Sequence, residues 1–479
     1  MKSIRAILIQ PPNIKGVQSL LSHMEDGEGI GFKPPIGLLY VATYLKEKTP
    51  HSVEIIDAQA ERLGLEETLS RVLASKPDVV GISAWTDWWY SAHQLGRMIK
   101  GKMPEAHICY GGPHAAIYPE ETIQAAHTDS VIAGDGEAPF AALCDMVAKA
   151  CVNNDFPGLH FKRYGAKEGD ARFFIQKNLD ELPLPDRTLL PIRNYSSLLG
   201  TSNFVTTMLT SRGCPYRCTY CKLSHQKTAC RSAQSVIEEF KEIERLGIKE
   251  VEVYDDTFTW SKARAMDICR GLIEQNVKVA WAARDRVNAA DPELLDLMKK
   301  AGCTRIHYGI ESGVDRIIEL MKKNITTGEA RRAVSLAKER GFTVLVFFML
   351  GNKGETAEDI RRTIDFALGL DADYAEFSIT IPYPGTEMYL EALSKNIINR
   401  DYWRAFAANP TADFRVPQLY EENLAKDELT ALRDEAVRRY YFRGRYIIRE
   451  IAKIRRWSEF QRKAKMGLRL AFSSMRGVK

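Results

Sequence analysis

Residues 211–221 read SRGCPYRCTYC, Ser211 to Cys221, and the rest of the chain is interpreted outward from this stretch. Its three cysteines, Cys214, Cys218 and Cys221, are spaced C-x3-C-x2-C. One tight loop can bring three such thiolates to one face of an iron–sulfur cluster, and three ligands for a four-iron cluster leave one iron open. Disulfides are a poor alternative, because three cysteines two or three residues apart close strained loops and leave one thiol over. Zinc is the better alternative, yet structural zinc usually takes a fourth Cys or His at motif spacing. Neither His225 nor Cys230 completes a finger or knuckle pattern.

The cysteine loop follows Phe204 to Leu209, the first of six strand candidates. The others are Glu250 to Tyr254, Val279 to Ala282, Arg305 to Ile310, Thr343 to Met349 and Tyr374 to Ile379. Helical patterns separate them, for instance Ser235 to Leu246 with Val236, Ile237, Phe240 and Ile243 on one face. Six such units describe a partial (β/α)6 barrel over residues 202–415, with the cysteines at the carboxyl face where barrel chemistry is built. Other strand ends then supply candidates by position: Asp255, Asp256 and Phe258, Arg284 and Arg286, Glu311-Ser312-Gly313, Gly351, and Pro382 to Thr386. The plain alternatives are that Asp255-Asp256 caps a turn and that Arg286 pairs with a carboxylate.

Residues 1–150 alternate short apolar runs with helical patterns, which argues a doubly wound parallel sheet in an α/β protein. Strand candidates are Ile4 to Ile9, Val53 to Ile56, Asp78 to Ile82, His107 to Tyr110 and Ser130 to Ile132. Ligands on such sheets lie beyond the carboxyl ends of the strands. Those ends carry Asp57, Gly81-Ile82-Ser83, Gly111-Gly112-Pro113-His114 and Gly134-Asp135-Gly136-Glu137. Glycine at several adjacent ends lets a large flat ligand approach the backbone, although each glycine alone reads equally well as a tight turn. Trp85, Trp88 and Trp89 follow the GIS run and suit either a ligand face or core packing. Between 151 and 201 periodicity weakens, and Leu182-Pro183-Leu184-Pro185-Asp186 reads as an extended connector.

The 479 residues suit two or three domains, and a 45% apolar, 27% charged composition is that of a globular protein. Neither a secretory start nor an apolar run long enough to span a bilayer is visible, and nine mostly scattered cysteines fit a reducing compartment. A cytoplasmic protein is expected. The net charge of +5 is segregated: Val437 to Lys479 holds fourteen Lys or Arg against two Glu, so that segment carries +12 and the preceding residues −7. In the helical, basic region 416–479, Ile447, Ile451, Ile454, Phe460, Ala464 and Leu468 approximate one apolar stripe. Such a segment suits a peripheral contact with an anionic membrane, here its inner face, or a solvated face covering the barrel. No nucleic-acid reading module accompanies the charge, so nucleic acid is not expected as a partner.

Two sets of motifs resemble one known family. The cysteine trio with Tyr220, the DD-x-F, GIESG and PYPGT runs over Phe204 to Leu390 resemble the radical S-adenosylmethionine superfamily. The PPIGL, GIS, GGPHA and GDGE runs resemble the cobalamin-binding domain that precedes that core in many of its members, with Asp135 where GEGE is usual. The resemblance implies a 4Fe-4S cluster on Cys214, Cys218 and Cys221, and S-adenosylmethionine near Tyr220, Asp255, Arg286 and Glu311. It also implies cobalamin against Ser83, Gly111, Gly112, His114, Gly134, Gly136 and Glu137. The D-x-H-x-x-G signature that supplies a histidine to cobalt is absent, so no protein imidazole is expected on the lower face. Lys353 replaces the proline of the usual GxPGE run in Gly351 to Glu355, leaving its role open.

The implied activity is a methyltransferase acting on an unactivated carbon or phosphorus centre through a 5′-deoxyadenosyl radical, with a flavodoxin- or ferredoxin-type electron donor. The alternatives are a radical cyclase, oxidase or rearrangement enzyme without net methyl transfer and, remotely, a cluster-binding sensor without turnover. No catalytic residue is singled out. The substrate is a small molecule, with the tail hinting at a lipid, isoprenoid or tetrapyrrole.

Overall fold

A computed structural model of the chain describes residues 3–14, 17–18, 32–153, 155–165, 167, 172–197, 199–200, 202, 204–222, 227–415 and 423–452. The amino-terminal sheet runs in the order β2-β1-β3-β4-β5-β6. Strands β1 (Arg5–Gln10), β2 (Ser52–Asp57), β3 (Val79–Ser83), β4 (His107–Gly111) and β5 (Ser130–Ile132) are parallel. Because helices cover both faces, β1 and β3 are near-continuous apolar runs rather than alternating ones. Helices α1 (Ile36–Lys48) and α4 (Glu137–Ala148) pack together, as do α2 (Leu65–Ser75) and α3 (Trp89–Lys102).

The sheet does not stop at residue 150. Strand β6 (Leu159–Phe161) adds antiparallel to β5, three residues too short to show a period in sequence. The connector beyond it is packed rather than loose. Leu179, Leu182 and Tyr195 are buried, and Tyr195 Oη donates to Asp57 Oδ2 at 2.8 Å. Arg187 is buried too, donating to Thr206 Oγ1 and to Glu239 Oε1.

The second unit is a six-stranded parallel sheet in the order β12-β11-β10-β9-β8-β7. Its strands are β7 (Val205–Met208), β8 (Glu250–Val253), β9 (Ala280–Arg286), β10 (Cys303–Glu311), β11 (Thr343–Leu350) and β12 (Tyr374–Ile379). Helices α5 (Ala233–Arg245), α6 (Lys262–Glu274), α7 (Pro292–Lys300), α8 (Thr327–Glu339) and α9 (Ala357–Leu370) follow in alternation. Capping boxes at Thr326 with Glu329 and Thr356 with Asp359 start α8 and α9, satisfying backbone donors that a helix end leaves free. The wall is therefore the expected partial barrel, but β9 runs four residues beyond Ala282, so Arg284 and Arg286 lie within a strand.

Helix α10 (Lys426–Tyr441) packs on α9 and β12, burying Leu429, Leu432 and Tyr440. Tyr440 Oη donates to the Ala372 carbonyl and Tyr441 Oη to that of Ala375, both at 2.7 Å. The start of the basic region is thus part of the barrel. Residues 453–479, with Ile454, Phe460, Ala464 and Leu468 of the apolar stripe, lie outside the described residues. No described helix is long and apolar enough to cross a membrane.

Under β3 and β4 lies a cluster of buried imidazoles. The His114 ring stacks on Trp89 with centroids 4.5 Å apart, and His93 meets His127 edge to face at 4.5 Å. Burial lowers His93 to about 4 and both His114 and His127 to about 3, with Arg97 opposing protonation of His93 and His127. These rings are neutral in the fold and titrate near 6.5 when unfolded, so their contribution is complete above pH 6.5 and is lost as pH falls. Acidification from pH 7 to pH 5 is expected to destabilise a His114→Phe variant by about 2 kcal/mol less than the parent chain. Urea unfolding of both at the two pH values measures this.

Candidate cluster and nucleotide site

The cysteine loop leaves the carboxyl end of β7 and is held from below by one carboxylate. Asp255 Oδ1 accepts from the backbone N–H groups of Thr210 (2.6 Å) and Ser211 (3.1 Å), and Oδ2 accepts from both hydroxyls. Ser211-Arg212 then pairs antiparallel with Ala229-Cys230, and Gly213, at φ +85°, makes the turn into Cys214. Past the turn, Thr219 N–H donates to the Met321 carbonyl and Met388 N–H to that of Thr219. The loop is thus tied to β8 and to two segments that follow other strands.

All three thiols are free of disulfides, Cys218 buried and Cys214 and Cys221 half-buried. Arg286 Nη1 lies 3.7 Å from Cys218 Sγ, and the same guanidinium stacks on Tyr216 at 3.8 Å. Among the described residues no three Cys, His, Asp or Glu side chains converge on one point as a mononuclear ion requires. A cluster in which each thiolate takes a different iron does not ask for such convergence. The donor set fits an iron–sulfur cluster, and His225 lies outside the described residues.

Beside the loop stands a polar group that sequence reading found only in part. Tyr220 Oη donates to Glu311 Oε1 at 3.2 Å, and Lys323 Nζ donates to both, at 2.9 and 2.8 Å. Glu311 is held at φ +73°, a left-handed conformation rare for a non-glycine residue, where the β10 register shifts. Gly309 leaves room for this group, since a Cβ would come 2.7 Å from Glu311 Oε1 and displace the carboxylate. Lys323 carries no motif of its own; its only signal is the Met-Lys-Lys-Asn turn after residues 315–320. In the Gly351 to Glu355 run, Glu355 Oε2 accepts from the Gly351 and Asn352 backbones at 2.7 and 2.8 Å. Lys353 pairs with Glu391 at 2.5 Å, both side chains half-buried.

The rim of the first sheet meets this loop directly. Arg212, two residues before Cys214, bridges Asp135 Oδ1 at 3.0 Å and Glu137 Oε1 at 2.6 Å. Its guanidinium also lies 5.0 Å from the Tyr40 ring centre.

The chain matches the family model "Radical SAM superfamily" over residues 208–367 and "B12 binding domain" over residues 31–144. It is 33% identical over 456 residues to an uncharacterized methyltransferase of Pyrococcus horikoshii, covering 94% of this chain and 95% of that one. The chain belongs to the cobalamin-binding radical S-adenosylmethionine family. The solved methyltransferase TsrM of Kitasatospora setae, with cobalamin and a 4Fe-4S cluster bound, shares the fold at TM-score 0.68 and 19% identity, over 82% of this chain and 78% of that one. OxsB with aqua-cobalamin and S-adenosylmethionine bound does so at TM-score 0.70 and 16% identity, over 99% and 72%. The chain is a radical S-adenosylmethionine enzyme whose cofactors are a 4Fe-4S cluster, S-adenosylmethionine and cobalamin.

Several site residues are placed differently from the expectation. The Asp255 carboxylate is spent on the loop backbone rather than turned toward a ligand. Glu137 Oε1 pairs with Arg212 while its buried Oε2 has no partner, and the fully buried His114 ring stacks on Trp89 with Nε2 unpartnered. Gly134, at φ +104°, is demanded by the chain itself, because a Cβ there would fall 2.1 Å from the Phe174 carbonyl. A Cβ on Gly111 would make only ordinary contact with Ile132 at 3.9 Å, whereas Gly112, at φ +99°, turns the chain with a Cβ position 3.0 Å from the Ala84 carbonyl. Ser83 ends β3, Gly136 precedes α4, and Trp85 is 49% exposed in edge contact with Trp88. Ser83, Gly111, Gly112 and Gly136 and the two tryptophans are the rim groups left for a flat ligand.

Removing the bridge tests its part in the site. Arg212→Ala strands two carboxylates of which Glu137 is buried, and is expected to lower stability by about 3 kcal/mol. Less than half of the parent's iron is expected to remain after anaerobic reconstitution, with Arg212→Lys intermediate. Thermal unfolding and iron content per chain give the two readouts.

Proposed function

We propose that the chain is a cobalamin-dependent methyltransferase acting on an unactivated carbon, or phosphorus, of a small molecule held in the barrel lumen. The observation that carries this reading is the Arg212 bridge, which sets the carboxyl-end rim of the first sheet against the cysteine loop. Two cofactor sites so joined open toward one another, as methyl delivery to a substrate between them requires. The methyltransferase name of the Pyrococcus relative supports it.

In this proposal Cys214, Cys218 and Cys221 hold the cluster, and Arg286 lies against Cys218 and fixes that side of the loop. Glu311 offers acceptors to the hydroxyl and ammonium groups of S-adenosylmethionine, while Lys323 holds that carboxylate in place and Tyr220 closes the wall behind it. Asp255 is a positioning residue. Ser83, Gly111, Gly112, Gly136, Trp85 and Trp88 form the cobalamin rim. When bound, these cofactors supply a carbon-centred radical and a transferable methyl group, while the protein orients them and excludes water. Reduction by a flavodoxin- or ferredoxin-type donor belongs to the same proposal.

Anaerobic incubation of the reconstituted holoenzyme with S-adenosylmethionine, a low-potential reductant and a metabolite extract is expected to release 5′-deoxyadenosine together with S-adenosylhomocysteine. Deoxyadenosine alone would favour ring closure or oxidation, and neither product a sensor. Replacing the three cysteines with alanine is expected to abolish both iron binding and cleavage.

The last described helix, Gly444–Ala452, shows Ile448 70% and Ile451 58% exposed beside Arg445. We read it, with the basic residues after it, as a peripheral contact with anionic membranes. Since Tyr440 and Tyr441 belong to the barrel, the tail must be cut after Ala452. That truncation is expected to reduce flotation with phosphatidylserine vesicles at low salt at least fivefold, each basic residue near the surface being worth about 1 kcal/mol; unchanged flotation removes the membrane contact.

A further inference from the structure

The side chains that face the barrel interior can be read from register. Glu252 pairs with Ala282, Ala282 with Arg305, Arg284 with His307, Arg286 with Gly309, and Phe347 with Glu376, so these residues share one side of the sheet. Along β9 the alternation is sharp: Ala283 and Asp285 are buried toward the helices, Arg286 is buried beside the cysteines, and Arg284 between them is exposed. An inward-facing residue in mid-strand can be exposed only if the interior is open in front of it. The lining agrees, since Tyr254, Gly309, Phe347, Met349, Glu376 and Ser378 on the same side are all only half-buried.

The other interior cations have partners. At the floor Arg305 meets Glu250 at 3.2 Å and Glu252 at 2.9 Å and donates to His307 Nε2, and Lys33 meets Glu252 at 2.7 Å. Nearer the cysteines Lys323 meets Glu311 at 2.8 Å, and Arg286 donates to the Lys323 carbonyl and faces Cys218. Arg284 has no carboxylate at ion-pair distance among the described residues; its guanidinium lies over the Tyr254 ring, 4.0 Å from the centroid. Stacking occupies one face of the guanidinium plane and leaves the N–H edge, the part that grips oxyanions two-pronged, directed into the open interior. Glu376 and Asp256 are the carboxyls that feel the attraction of Arg284, and neither comes within ion-pair distance of it; burial raises both. Arg284 also sits two strand residues, about 7 Å, below Arg286 and the cysteine loop, which is the separation a substrate needs to be anchored at one end and presented at the other.

We propose that Arg284 is the anchor for an oxyanion, a carboxylate or a phosphate, borne by the small molecule on which this enzyme acts. The inference rests on the reading that the lumen holds the substrate, but not on methyl transfer. It makes Arg284 a specificity-determining residue, and it directs the search for the substrate toward acids and phosphate esters.

The test is arginine labelling with phenylglyoxal on the parent holoenzyme, loaded with cluster and cobalamin, followed by peptide mapping. Arg445, 89% exposed on the last described helix, is the internal reference. With S-adenosylmethionine saturating, Arg284 labelling is expected to slow about tenfold when roughly 10 mM phosphate or succinate replaces chloride at equal ionic strength, as a millimolar dissociation constant gives. Protection by phosphate alone points to a phosphate-bearing substrate and by succinate alone to a carboxylate-bearing one. Equal labelling in all anions, no labelling in chloride, or full protection by S-adenosylmethionine alone overturns the proposal, the last by giving Arg284 to the nucleotide. Labelling requires no turnover, so a protected Arg284 in an enzyme that releases no S-adenosylhomocysteine would sink the methyltransferase reading and leave this one standing.

Discussion

Arg212 is the residue through which the two halves of this protein act as one. It lies in the strand-like entry to the cysteine loop, yet its guanidinium is bound by Asp135 and Glu137 on the rim of the other sheet. Desolvating a guanidinium is costly, and such pairs contribute less net stability than their distances suggest. Their value is geometric, because an unpaired buried charge is far worse than a paired one and only one docking angle pairs all three groups. Asp135 also accepts from the Gln176 N–H, so the rim, the connector and the cysteine loop are joined at one side chain.

The same device recurs around the loop. Arg187 from the connector and Arg231 from just after the loop both bind Glu239 on α5, and all three are buried. Asp255 takes the loop's backbone donors from below. Cys218 is buried and Tyr220 packs against the core, while charge and hydrogen bonds hold the rest of the loop. A metal-binding loop gains from this, since each tie fixes a direction as well as a position, and three thiols must be presented before any metal arrives.

The interior of the barrel is organised by the opposite need. Its floor is sealed by Arg305, Glu250, Glu252, Lys33 and His307, whose donors and acceptors satisfy each other. Above that floor the wall opens around Arg284, and beyond it the paired, buried group of Lys323, Glu311 and Arg286 stands beside the cysteines. An open stretch with one accessible cation between two satisfied polar groups has the character of a substrate cavity rather than a core.

Much of this was legible in the one-dimensional chain. The alternation of strand and helix signals determined two parallel sheets, because a strand covered on both faces must be apolar throughout and the intervening helices must show a period of 3.6. The cysteine spacing determined the cluster site, because ligands inside one loop are close whatever the rest of the chain does. What only the tertiary structure decided are the roles that depend on a partner distant in sequence. Lys323 joins Tyr220 across 103 residues, Glu137 Oε1 accepts from Arg212 across 75, and β6 adds a strand beyond residue 150. Arg284 and Arg286 look alike in sequence, and only the register of β9 against its neighbours shows one closed in beside a sulfur and the other facing open space. Local pattern specifies which elements form; which side chains are already paired is settled only when those elements meet.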